Sequence, residues 1–284
     1  MMLEIKVRQN EEDILKKQFV AGWFYDIAEV IEIVSFVACS INVLLSYLFA
    51  ETSWIIYVLT LLLFSEGICD YLKLHLINKG AKIRNNTDRL LLFGISYDSG
   101  MDSYDNAKLM ERVDRICYKH KKRFEKKKSR DGFKKGIKDW YILDDKSTDD
   151  LWCIYNCQKQ NGIFDKQITF WNKLFLLLAL IIIASIIFSS RNGLLLFCVS
   201  LPLISKIIKS CVLMIRHNNI IVSMKVICSQ VDKGDISKEK LEELQSYIEK
   251  RRCMDFSTFS VVYNIYRKSL HRITERAVNT KKSI

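Results

Sequence analysis

Proline is almost absent from this sequence: Pro202 is the only one among 284 residues, and glycine occurs only ten times. Because proline disrupts helix interiors and glycine often ends helices, their scarcity predicts long helices with few tight turns. The nine cysteines include no CxxC pair, which argues against a zinc site. The common nucleotide-binding and hydrolase motifs are also missing, and the four histidines lie far apart in the sequence. We therefore predict a protein that is not an enzyme and that carries no metal or other cofactor.

Long uncharged runs are the most prominent feature that is present. Ile33–Ala50 has 18 residues without a charge and Leu174–Ser190 has 17. Each run is followed, after a short polar turn, by a second apolar run that begins at Trp54 or Leu194. Crossing the hydrocarbon core of a bilayer, about 30 Å thick, takes roughly 20 residues of helix. The pattern predicts an all-α membrane protein with four transmembrane helices, arranged as two hairpins, plus a helical cytosolic module.

The distribution of charge predicts the orientation of these hairpins. The chain has a formal net charge of +12, and residues 76–168 hold 21 Lys and Arg against 14 Asp and Glu. The turns inside the hairpins carry only Glu51 and Arg191 as charges. Because Lys and Arg collect on the cytosolic side of membrane proteins, we predict a multi-pass protein with both termini and the central block in the cytosol. The surplus either attracts an anionic partner, such as lipid headgroups or a nucleotide, or only sets the topology.

Composition divides the chain into five successive parts. Two of them are the apolar hairpins, and the other three are rich in charge. The predicted boundaries give an N-terminal cytosolic helix (1–26), a first transmembrane hairpin (27–77), a basic helical cytosolic domain (78–168), a second hairpin (169–215) and C-terminal cytosolic helices (216–284).

The second arm of each hairpin carries charges at a depth where lipid is expected. Glu66 and Asp70 follow the second run, and Lys206 and Lys209 follow the fourth. A charge at the centre of a membrane helix costs about 2.5–3.5 kcal/mol on insertion scales. Either the acidic and basic faces pair or line a wet lumen, or the side chains only reach back to the headgroups. Pro202 lies four residues before Lys206, where a kink could act as a gate hinge or as static packing geometry.

The densest basic stretch is 119–130, KHKKRFEKKKSR, which includes Lys122 and Arg123. Such a stretch could bind a phosphate-rich ligand or an anionic lipid. It could equally be the solvated end of a helix. Only Phe124 interrupts it, so a stacking platform for single-stranded nucleic acid is not expected.

Several short elements together resemble those of a known family. They occur near the N-terminus, before the third predicted crossing and near the C-terminus: Ile5, Arg8, Gln9 and Asn10; Asp139, Trp140 and Tyr141; Cys157, Gln158, Asn161 and Asp165; Leu244, Gln245, Ile248 and Arg251. With the two hairpins, they make the chain similar to the SMODS-associated four-transmembrane effectors of bacterial anti-phage systems. The resemblance covers nearly the whole chain.

This resemblance implies a membrane effector linked to a nucleotidyltransferase that makes a cyclic oligonucleotide on infection. Such an effector is expected to bind that nucleotide, form a homo-oligomer and permeabilise the bacterial inner membrane. Candidate ligand-binding residues combine the matched block with the basic stretch: Trp140, Tyr141, Gln158, Asn161, Lys122 and Arg123. The aromatic residues could instead pack in a helical core. The alternatives are a membrane scaffold or sensor that recruits a cytosolic partner through the basic domain, and a small transporter.

Overall fold

The fold is built from helices. A computed structural model describes residues 2–48, 55–94, 103–131, 136–143, 149–162, 177–178, 181–182, 184–185, 193–254, 269, 271–274 and 276. Within these ranges the only β-type pairing is an isolated bridge between Asp131 and Lys138. The all-α prediction is thus confirmed for the described residues. The principal helices are α1 (Met2–Arg8), α2 (Glu12–Leu48), α3 (Ile55–Phe93), α4 (Ser103–Lys119), α5 (Lys121–Lys128), α6 (150–162), α7 (Gly193–Asp232) and α8 (Lys238–Arg252).

Three helices, α2, α3 and α7, are far longer than the rest, with 37, 39 and 40 residues. At 1.5 Å per residue each is about 55–60 Å long, roughly twice the thickness of a hydrocarbon core. Each therefore joins an apolar segment to a charged segment without interruption. The predicted boundaries at residues 26, 77 and 215 fall inside these helices, so they mark changes in composition and not helix ends. The division into domains stays a prediction.

Two helices in the described ranges are long and apolar enough to cross a membrane. They contain the candidate spans Glu12–Leu45 and Ser200–Asp232. The second predicted crossing corresponds to the first half of α3, whose uncharged run is interrupted by Glu66 and Asp70. Most of the third, Leu174–Ser190, lies outside the described residues. The number of four crossings accordingly stays a prediction.

The outward faces of the long helices are apolar. Exposed hydrophobic side chains recur every three or four residues for most of each stripe, as expected for one face of a helix. Soluble proteins rarely leave apolar patches of this size uncovered, whereas helices in contact with lipid require them. The stripes are formed by Val30, Val34, Val37, Ile41 and Leu44 on α2, by Tyr57, Leu61, Phe64, Ile68 and Tyr71 on α3, and by Phe197, Leu201, Ile208, Val212 and Ile215 on α7.

The charged segments fold around the ends of the long helices. One apolar core joins the last turns of α3 to α6, α7 and α8, and Tyr155 at its centre is fully buried. A second core packs α4 and α5 against the first turns of α2. There the rings of Phe19 and Phe124 meet edge to face, with 5.4 Å between centroids. Each core fixes the orientation of a long helix relative to its neighbours.

Gln9 ties the N-terminal helix to the segment around Tyr141. Its side chain accepts a hydrogen bond from the Tyr141 backbone nitrogen (2.9 Å) and donates one to the Tyr141 carbonyl oxygen (3.5 Å). Gln9→Leu would leave both buried backbone groups without a partner. We expect the free energy of unfolding, measured by denaturant titration in detergent micelles, to fall by about 1–3 kcal/mol.

The neighbouring Asn10 supplies a matched control for that variant. Its side chain accepts a hydrogen bond from the Asp139 backbone nitrogen (3.0 Å) and donates one to the Asp139 carboxylate (2.8 Å), but in an exposed position. Water can replace these bonds, so Asn10→Leu should cost clearly less than Gln9→Leu. Equal losses from the two variants would show that burial of the Tyr141 backbone does not matter.

Candidate functional site

A network of charged side chains lies between the three long helices. Among the described residues it joins three carboxylates and three lysines, whose formal charges sum to zero. The helices turn these groups toward one another while their outer faces stay apolar. The members are Glu32 on α2, Glu66, Asp70 and Lys73 on α3, and Lys206 and Lys209 on α7.

The most deeply buried pair in this network is Glu32 with Lys73. The Lys73 Nζ atom lies 2.6 Å from Glu32 Oε2, and the two side chains are only 5 % and 6 % exposed. Lys73 also lies 3.8 Å from Asp70, three residues earlier on the same helix. Sequence reasoning missed this pair, although Glu32 directly precedes an uncharged run and Lys73 follows Asp70 by one helical turn.

Lys206 connects all three helices. Its ammonium donates a hydrogen bond to Ser35 Oγ on α2 (2.8 Å) and lies 3.5 Å from Asp70 and 3.9 Å from Glu66 on α3. Lys209, which is half-exposed, reaches Asp70 at 2.5 Å. The structure thus brings together the four charged residues singled out from the sequence, with Asp70 as the carboxylate shared by both lysines. Whether they act as a gate stays a prediction.

Burial makes this arrangement sensitive to any loss of pairing. Removing two charges from water costs several kcal/mol per ion, and only close, well-paired neighbours offset that cost. Pro202 is buried inside α7, one turn before Lys206. Because proline cannot donate to the carbonyl four residues earlier, it weakens the helix next to the network. The helix pair α2–α7 therefore combines a charge-dependent contact with a locally weakened backbone.

A second polar cluster lies where the end of α3 meets α8. Arg252 lies 2.7 Å from Asp88 and is almost fully buried with it. The same guanidinium donates to Asn85 and to the Asn161 side chain, each at 3.2 Å. Asn161 in turn donates to the Tyr141 hydroxyl at 3.4 Å. This chain of contacts joins α3, α6, α8 and the segment before α6.

Two more arginines border that cluster. The Arg84 guanidinium stacks over the Trp140 ring, 4.1 Å from its centroid. Arg251 donates to the Asn161 carbonyl oxygen at 3.3 Å. Among the described residues, no carboxylate lies within 4.0 Å of Arg84. The nearby Tyr25 hydroxyl is buried and has no hydrogen-bond partner in the described part of the chain.

The three guanidiniums raise the local potential. Burial lowers the pKa of Arg251 to about 9, and Arg252 and Arg84 contribute by repulsion. Burial and Arg252 likewise lower the pKa of Arg84. Burial also disfavours charge on Arg252, but Asp88 together with Tyr141 and Tyr25 outweighs it, so the pKa of Arg252 is raised. At neutral pH all three stay charged, and among the described residues Asp88 is the carboxylate that pairs with Arg252.

The candidate ligand residues from the sequence separate into two groups. Trp140, Tyr141 and Asn161 belong to the arginine cluster. Gln158 is fully buried beside it and donates to the Leu241 carbonyl oxygen at 2.8 Å, which is a packing role. Arg84, Arg252, Asp88 and Tyr25 were missed, because no motif links residues so far apart in sequence.

The basic helix α5 stands apart from the cluster. Lys122 is exposed, and Arg123 pairs with Asp26 on α2 at 2.6 Å. In the described part of the chain, neither residue forms a hydrogen bond or ion pair with the arginine cluster. The described residues therefore do not bring the basic stretch into one site with Trp140 and Tyr141.

Comparisons with known proteins support a membrane effector. No curated protein and no solved structure gave a match to this chain. A family model described as the SMODS-associating 4TM effector domain matches residues 3–281, which is nearly the whole sequence. The apolar spans, the outward apolar stripes and the enclosed charges are those of a membrane protein. The chain belongs to the SMODS-associating 4TM effector family.

Proposed function

We propose that this protein is an effector of anti-phage defence that a cyclic-oligonucleotide signal activates to form a homo-oligomer and permeabilise the bacterial inner membrane. A nucleotidyltransferase of the SMODS class would supply the signal. The observation that carries the proposal is the network of three carboxylates and three lysines between helices whose outer faces are apolar, in which Glu32, Lys73 and Lys206 are buried. A passive anchor gains nothing from such a network, because buried charges lower the stability of the folded state. Such a network is expected in a protein that also adopts a second state, in which the charges meet water.

In the resting state the charges of α2, α3 and α7 neutralise one another. If the helices separate, each charge exchanges its partner for water, and hydration offsets the lost pairing. Two arrangements of similar free energy can then exist, which a signal can shift from one to the other. On α2, Glu32, Ser35 and Asn42 are buried and share one face, so they would line the opening with polar groups.

The orientation follows from the charge distribution. Because positive charge collects on the cytosolic side, both termini and the central segment face the cytosol, where the nucleotide is made. The continuous helices α2, α3 and α7 then carry a change in the cytosolic part directly to the membrane part. Oligomerisation would bring the apolar stripes of neighbouring copies together within the bilayer.

Vesicle leakage tests the proposal. Purified protein is reconstituted into dye-loaded vesicles and exposed to a panel of cyclic di- and trinucleotides. The panel includes the product of the SMODS-class nucleotidyltransferase linked to this protein. We expect release of dye with at least one of them and none without nucleotide. No release with any member of the panel, from protein shown to be inserted and folded, would contradict the proposed function.

The same assay separates the alternatives left open by the sequence. A scaffold or sensor would bind the nucleotide or a cytosolic partner without releasing dye. A transporter would show saturable flux of a substrate while the membrane potential persists. Depolarisation of the vesicles together with dye release therefore supports only the membrane-disrupting effector.

A further inference from the structure

We infer that the arginine cluster of Arg84, Arg251 and Arg252, with Trp140 beside it, is the site at which this protein binds a phosphodiester anion of its activating nucleotide. The inference rests on the proposed function for the identity of the ligand. The site itself rests on the geometry of α3 and α8.

The charges of the cluster are not balanced among the described residues. Arg252 is paired with Asp88 at 2.7 Å, whereas no described carboxylate lies within 4.0 Å of Arg84. The adjacent Glu249 is already engaged by Arg89 through two hydrogen bonds of 2.6 and 3.1 Å. A partly buried cluster with net positive charge is unfavourable by itself and is relieved by a bound anion. Phosphate groups match guanidinium geometry particularly well.

The cluster also holds hydrogen-bond donors that are free to bind an anion. Arg84 contacts the ring of Trp140 and has no ion pair among the described residues, so its five N–H donors are not committed to a carboxylate. The buried Tyr25 hydroxyl offers one more donor without a partner in the described chain. Arg252, by contrast, is already held by Asp88 at 2.7 Å.

An aromatic ring lies next to these donors. Trp140 is partly buried next to Arg84. Nucleotide bases stack on aromatic side chains and on guanidinium planes, and each stacked base contributes about 1–3 kcal/mol. The pair formed by Trp140 and Arg84 thus supplies both elements that a nucleotide needs, a cation for the phosphate and a flat surface for the base.

The position of the cluster explains how binding would reach the membrane. Arg84 and Asp70 lie on the same unbroken helix α3, 14 residues or about 21 Å apart. An anion that draws α3 and α8 together would move the helix that carries Glu66, Asp70 and Lys73. Helix α3 thus connects the charge network directly to the arginine cluster.

Arg84→Met is the test variant, because it removes a cation that pairs with no described carboxylate. The protein in neutral detergent is titrated with inorganic pyrophosphate and with each cyclic oligonucleotide that releases dye, and the thermal midpoint is recorded. We expect both ligands to raise the midpoint of the unmodified protein. In Arg84→Met the apparent affinity should fall by about tenfold to a hundredfold, as for loss of a charged hydrogen bond. Without ligand, its midpoint should equal or exceed that of the unmodified protein.

Two control variants remove a positive charge elsewhere. Lys82→Met lies two residues from Arg84 on the exposed side of α3, and Arg123→Met lies on the basic helix α5. Both should bind like the unmodified protein. An equal loss of affinity in all three variants would overturn the site, since it would show only general attraction to a positive surface.

The outcomes keep the site separate from the proposed function. If a nucleotide releases dye equally well from Arg84→Met, the site is wrong while the function stands. If no nucleotide releases dye but pyrophosphate still distinguishes Arg84→Met from the controls, the function is wrong while the anion site stands. Lipid headgroups are the other source of phosphodiesters. Stabilisation by phosphatidylglycerol vesicles, but not by phosphatidylethanolamine vesicles or any soluble nucleotide, would overturn the assignment to a nucleotide.

Discussion

Lys73→Met is expected to lower the free energy of unfolding by about 3–5 kcal/mol, because it leaves Glu32 as an uncompensated charge in a buried position. The two side chains are 5 % and 6 % exposed and lie 2.6 Å apart, so water cannot replace the lost partner. Glu32→Leu should cost less, because Asp70 remains 3.8 Å from the Lys73 ammonium. The double variant Glu32→Leu with Lys73→Met should regain most of the loss, since replacing both charges by apolar groups is often neutral. Denaturant titration in detergent micelles measures all three.

An exposed ion pair with the same distance between its charged atoms provides the control. Arg115 and Glu111 on α4 also lie 2.6 Å apart, but their side chains are 75 % and 67 % exposed. Arg115→Met should therefore cost only about 0.3–0.5 kcal/mol, as is usual for such pairs on helices. If Lys73→Met costs no more than Arg115→Met, the centre of the bundle is open to water and the network does not hold the helices together.

The sequence was sufficient for the helical nature of the fold and for the membrane charges. Uncharged runs and scarce proline are local signals, and they predicted long apolar helices that the structure contains. Lys206, Glu66 and Asp70 were recognisable because each interrupts an apolar run where a charge is costly. The same reasoning could have found Lys73, which follows Asp70 by one turn.

The sequence was not sufficient for the contacts between distant segments. Arg84 and Arg252 lie 168 positions apart, and each is ordinary in its local context. Only the packing of α8 against the end of α3 shows that the two side chains lie in the same cluster. The basic stretch around Arg123 was the stronger candidate in the sequence, because its charges are adjacent. In the structure, however, Arg123 pairs with Asp26 on the surface of α2. Density of charge along a chain thus says little about where charge accumulates in space.

Lys206 lies close to two carboxylates, those of Glu66 and Asp70. Reversing the charge of Lys206 is therefore the most damaging change that we expect in this protein. Lys206→Glu would place four carboxylates against the two remaining lysines of the network, Lys73 and Lys209. We expect a loss of more than about 5 kcal/mol, since a pair is broken and like charges are added at a 3 % exposed position. The fraction of protein recovered as a folded, monodisperse species in detergent measures this loss.

Glu66 is the suitable partner for a compensating change, because among the described residues it forms an ion pair only with Lys206. Glu66→Lys combined with Lys206→Glu restores three positive and three negative groups, and most of the folded fraction should return. The exposed pair Glu12 and Lys128, 3.0 Å apart, is the control, and reversing either residue there should cost less than about 1 kcal/mol. A double swap that folds no better than the two single variants would show that pairing between α3 and α7 does not organise the bundle. A double swap that folds and still releases dye on addition of nucleotide would show that charge balance, and not the identity of each charge, sets the closed state.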